Sequence, residues 1–165
     1  MTENILGKIF EHNNWANLQI IRVCTALSDE QLDAEPRSVT KGSIRRTLTH
    51  LVASQRNYLA ILTLPVEARP NTLPAFAELQ ETARVSGEGL LALARNESGK
   101  YPETQLQTTD GYLVESWVIM LQAINHAAEH REQISSMLTS LGVTPPELDG
   151  WTYGEVNNAL IPMSP

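Results

Sequence analysis

The chain has 165 residues, 42% of them hydrophobic, a formal net charge of −7 and a pI near 5.0. That length suits one domain over residues 1–165, with enough apolar material to bury a core. The acidic surplus argues against nucleic acid or an anionic membrane surface as partner, because both are met by a Lys/Arg excess.

The single cysteine, Cys24, has no internal disulfide partner and belongs to no CxxC pair. It reads as a small buried hydrophobe on the first helix. The opening MTENILGKIF lacks a basic region followed by a long apolar run, so it does not read as a signal peptide. No stretch reaches the roughly 18 apolar residues of a membrane span. The expected location is the cytoplasm.

Apolar residues recur at helical spacing in four segments. The first runs from about Asn4 to Leu27 through Ile5, Ile9, Trp15, Leu18 and Ile21. The second starts after Ser43, a residue suited to cap a helix N-terminus, and carries Ile44, Leu48, Leu51, Val52, Leu59 and Leu62. Between Thr63 and Pro74 lie Pro65 and Pro70, which make this segment an extended link. The third helix is expected from Leu73 or Pro74 through Leu93. Next come Tyr101 to Thr109 and Tyr112 to Val114, two short strands flanking Asp110-Gly111, a two-residue hairpin signal. The fourth helix is expected from about Glu115 to Leu141, with Gly142 just past its end and Pro145-Pro146 beyond. A last short helix is expected over Glu155 to Ile161. The fold class is therefore all-α, a four-helix bundle with a long crossover between the second and third helices and a short hairpin before the fourth.

Four histidines are present. His126 and His130 lie four apart in NHAAEHREQI, which puts both imidazoles on one helical face within reach of a shared ion. On a helical wheel with Trp117 at zero, His130 falls at about 220°, inside the apolar arc, and His126 at about 180°, on its edge. Buried imidazoles need partners, and either a metal ion or hydrogen-bonding groups on other helices would serve. His50, in TLTHLVASQRNYL, lies on the flank of the second helix, where it can face a neighbouring helix. His12 reads as structural or exposed. The segment from His126 to His130 also fits the H-x-x-E-H pattern of some zinc peptidases. Its glutamate, Glu129, falls at about 120° on the polar face, away from the ion that it would have to serve.

These motifs together resemble the DinB family of helical-bundle metalloproteins. The resembling segments are FEHNNWANLQII in the first helix, GSIRRTLTHLVASQRNYL in the second and NHAAEHREQISSMLTSLGVTPPELD in the fourth. Glu132 stands where the family commonly has glycine after its His-Arg pair. The resemblance implies that His50, His126 and His130 hold one divalent transition-metal ion, with zinc or nickel expected first and iron or cobalt next. It implies a homodimer and a reaction in which a low-molecular-weight thiol is activated at the ion, as in thiol-dependent transferases. The alternatives are a metal-dependent hydrolase, and a non-enzymatic or stress-related bundle stabilised by its histidines or metal. No catalytic base is assigned by spacing.

Overall fold

The computed structural model describes residues 4–36, 42–97 and 105–163. Its long helices are α1 (Ile5–Thr25), α3 (Ile44–Thr63), α4 (Leu79–Arg95) and α5 (Ser116–Ser140); α2 (Asp29–Asp33) and α6 (Gly150–Val156) are short. Two strands, β1 (Gln105–Gln107) and β2 (Leu113–Glu115), form the hairpin that leads into α5.

Local chemistry sets most of the helix ends. Asn4 and Ser43 accept from Gly7 N–H and Arg46 N–H and so cap α1 and α3. Asn96, in the left-handed region with φ of 54°, ends α4. Gly142, with φ of +73°, follows α5, and Val143 N–H donates back to the Leu138 carbonyl. Helix α2, absent from the four-helix expectation, is started by Ser28 and Gln31, which cap each other's backbone N–H groups.

The core falls into two layers that reveal the helix directions. One layer takes Ile20, Ile21 and Cys24 from the end of α1 and Ile44, Leu48, Leu51 and Val52 from the start of α3. It is completed by Leu79 and Ala83 from the start of α4 and Ile134, Met137 and Leu138 from the end of α5. The other layer joins Phe10 near the start of α1 to Leu62 at the end of α3, Leu90 and Ala94 at the end of α4, and Ile119 and Ala123 near the start of α5. Helices α1 and α5 thus run in one direction, and α3 and α4 in the other. Each of α1 and α5 packs beside α4 and α3 respectively, while α3 also packs on α4 and α1 on α5.

Because α3 and α4 are parallel neighbours, the link between them must return the length of the bundle, as expected from its prolines. Helix α4 is about 25 Å long at 1.5 Å per residue, a distance that extended chain between Leu64 and Glu78 can span. Two 3₁₀ turns, Val66–Ala68 and Phe76–Glu78, interrupt the link. Arg69 anchors it by donating to the Gln107 carbonyl at 2.6 Å, and Arg56 donates to the Thr72 carbonyl.

Three local expectations are corrected. Helix α4 begins at Leu79 rather than at Leu73 or Pro74, after a 3₁₀ turn over Phe76–Glu78 in which the Glu78 carboxylate accepts from Ala75 N–H. The last helix begins at Gly150 and ends at Val156, because Asp149 accepts from both Trp151 N–H and Thr152 N–H and so fixes an earlier start. The hairpin does not turn on two residues. Gln107 pairs with Leu113, Thr108 N–H donates to the Tyr112 carbonyl, and Gly111 takes a positive φ of +92°. This register sets Leu106 opposite Val114, both packed on the core. A two-residue turn at Asp110-Gly111 would set Leu106 opposite Glu115 instead. The expected strand residues 101–104 lie outside the described residues.

Candidate metal centre

Helices α3 and α5 are antiparallel neighbours, and their contact brings three imidazoles together. His50 comes from the first half of α3, and His126 and His130 from consecutive turns of α5. Nε2 of His126 lies 3.0 Å from Nε2 of His50 and 3.0 Å from Nε2 of His130. The three ligand nitrogens lie within 4.8 Å of one another. His50 is exposed and the other two are half-buried, so the cluster is open to solvent on its His50 side. The expected apolar arc of α5 is correct in Ile119, Ala123, Ala127, Ile134, Met137 and Leu138, all buried.

The proton count favours a cation at this point. His130 donates Nδ1–H to Oε1 of Gln133 at 2.7 Å, which leaves a lone pair on Nε2 of the neutral ring. A single N–H among three converging nitrogens can serve only one of the two 3.0 Å contacts. A metal ion would meet all three lone pairs. Nitrogens about 2.1 Å from one tetrahedral ion stand about 3.4 Å apart, so the two 3.0 Å contacts are close to the spacing that a shared ion would need. Burial, reinforced by the neighbouring rings, pushes the His126 imidazole down to about 4, and burial followed by the charge of His130 pushes His50 down as well. Both rings are therefore neutral at pH 7, the state in which imidazole ligates.

Sequence reasoning missed two neighbours of the cluster. Gln133, one turn beyond His130, orients that ring, a role that its i+3 spacing could have signalled. Tyr58 stands edge-on to His126, with ring centroids 5.7 Å apart at 84°. Burial pushes its hydroxyl up, a hydrogen bond with Gln122 opposes that shift, and the nearby Glu129 adds to it. Glu129 itself is exposed, as its wheel position implied. His12 is structural: its Nε2–H donates to the Leu148 carbonyl at 2.7 Å, and its ring packs against Trp15 and Tyr153.

Beneath the cluster, a buried polar chain crosses the bundle. Arg131 Nη1 donates to Asn13 Oδ1 at 2.7 Å and Asn17 Oδ1 at 2.6 Å. Asn17 Nδ2 donates to Gln55 Oε1 at 2.6 Å, and Gln55 Nε2 donates to the Ala83 carbonyl and Ser86 Oγ, both at 2.8 Å. The chain joins α5, α1, α3 and α4, and it accounts for Asn13 and Asn17, two of the three asparagines of the first-helix motif. Gln55, which falls within the apolar stripe of its helix, is buried through these bonds.

Fold and cluster define a class: a helical-bundle protein with a three-histidine group able to hold a metal ion. The DinB family profile matches residues 1–160, so the chain belongs to the DinB family. It is 26% identical over 159 residues to Protein DinB of Bacillus subtilis (strain 168), covering 88% of this chain and 91% of that protein. A crystal structure assigned to the DinB family, from Exiguobacterium sibiricum 255-15, superposes with a TM-score of 0.63 at 20% identity. The match covers 90% of this chain and 98% of that one, and it supports the fold alone.

Proposed function

We propose that this DinB-family protein binds one divalent transition-metal ion through Nε2 of His50, His126 and His130 and is a thiol-dependent transferase acting on a small substrate. The observation that carries the reading is the convergence of three nitrogens, with His126 Nε2 3.0 Å from each of the other two. Held by three neutral imidazoles, a divalent ion such as zinc or nickel keeps a coordination position open and lowers the pKa of a thiol or water reaching it. The chain's own residues orient and shield the site. Gln133 fixes the His130 tautomer, and Tyr58 covers the edge of His126. The exposed side of His50 leaves an approach for substrate and thiol. The cosubstrate thiol must come from outside, because Cys24 is buried in the core.

The homodimer implied by family resemblance is part of this reading. Partly exposed Leu6, Ile9, Trp117 and Leu121, around a groove of about 530 Å³, support it, and sedimentation velocity measures it.

The deciding experiment is elemental mass spectrometry on untagged protein beside His50→Ala and His130→Ala. Near-stoichiometric metal in the native protein, lost in both variants, supports the reading and directs a screen of low-molecular-weight thiols. Turnover that needs a thiol separates the transferase from a hydrolase. No metal in native protein, even after zinc or nickel is added, overturns the proposal.

A further inference from the structure

On the α1 side of α5, away from the histidine cluster, lies a cavity of about 370 Å³. It is lined by Arg131, Glu132, Ser135, His12, Leu148 and Asp149, among others. Arg131 is its unusual member. The residue is only 7% exposed, yet among the described residues no carboxylate pairs with it. Its two hydrogen bonds leave through Nη1, to Asn13 and Asn17. The other edge, Nε–H and Nη2, has no protein partner among the described residues. Neither atom is sealed from solvent, since neither is among the fully buried unpartnered atoms.

A buried guanidinium without a counter-charge is costly. Its free edge presents parallel N–H groups, the geometry that takes a carboxylate through two bonds. The rest of the wall limits the ligand. Glu132 and Asp149 give the lining two carboxylates against one guanidinium, which disfavours a phosphate or any other strongly anionic group. A ligand with one carboxylate and one ammonium group complements both.

We propose that this cavity binds a small zwitterion, its carboxylate on the Nε–Nη2 edge of Arg131 and its ammonium group toward Glu132 and Asp149. The proposal stands independently of the metal centre.

Isothermal titration calorimetry on the full chain tests it with 4-aminobutanoate, acetate and propylammonium. The first has its two groups too far apart to form a stable chelate ring, so a metal at the histidines does not mimic the result. Saturable binding of 4-aminobutanoate is expected, at least tenfold tighter than either single-charge probe and unchanged in His126→Ala. Arg131→Lys should weaken it at least tenfold, and Glu132→Gln should narrow its advantage over acetate at least threefold. No saturable binding in native protein would mean that the free edge holds water only and would overturn the proposal. So would undiminished binding in Arg131→Lys, or loss of binding in His126→Ala. If Arg131→Lys fails to fold by circular dichroism, the surface variant decides, and an unchanged preference in Glu132→Gln sinks the idea.

Discussion

His130 and Gln133 form a hydrogen-bonded pair on one face of α5, with Nδ1–H of the imidazole 2.7 Å from the amide oxygen. The bond leaves Nε2 as the ring's only lone pair and aims it at His126. Partners of this kind tune metal ligands, and losing one commonly weakens affinity about 10–100-fold. Gln133→Ala is therefore expected to loosen zinc or nickel by about that factor while leaving the helical circular dichroism intact. Competition against a chromophoric chelator measures it, and unchanged affinity would remove Gln133 from the site.

Metal should stabilise the fold, because the three ligands meet only in the folded chain. At free metal about 100 times Kd, the expected gain is about 2.7 kcal/mol. Denaturant unfolding with and without zinc reads this gain, and a chelator should abolish it. His126→Ala, which removes the nitrogen shared by both 3.0 Å contacts, should show none of it.

The metal-free protein should lose stability on mild acidification. His126 is held down to about 4 in the folded chain, and His50 is also lowered, whereas an unfolded histidine titrates near 6.5. Between those values the unfolded chain binds more protons, so stability is full above about pH 6.5 and falls as pH drops toward 4. Urea unfolding across that range should show the slope, and it should flatten in His126→Ala.

Cys24 should be inert. It lies in the core layer built by α1, α3, α4 and α5, and burial pushes its thiol up to about 12. A disulfide reagent should label it far more slowly in native protein than in denaturant, since the thiolate is the reactive form. Rapid native labelling would reopen the question of an internal thiol in the reaction.

The buried polar chain predicts a large effect from one substitution. Asn17→Leu removes an acceptor from Arg131 and a donor from Gln55 at once. Breaking such a buried charged network costs roughly 3 kcal/mol, which chemical denaturation would detect. A loss below a few tenths of a kcal/mol would mean that water replaces the amide.

Much of this was legible along the chain because helix signals are local. Ser43 and Gly142 mark helix ends by their own hydrogen bonding and φ preference, and the prolines before Pro74 announce the crossover. The spacing of His126 and His130 puts their rings on one face wherever α5 packs. The hairpin turn was misplaced because its register follows the burial of Leu106 opposite Val114, which the Asp110-Gly111 pair does not encode.

The sequence by itself determined the four long helices, the crossover and the paired histidines, since each depends on residues within a few turns of one another. Tertiary structure alone decided that His50, 76 positions before His126, closes the cluster. A helix flank can face solvent or a neighbour, and only the antiparallel packing of α3 on α5 selects between them. The same holds for Arg131, whose two amide partners lie on α1 more than a hundred residues away. Its neighbours along the chain carry no sign that one edge of the guanidinium is held and the other left open.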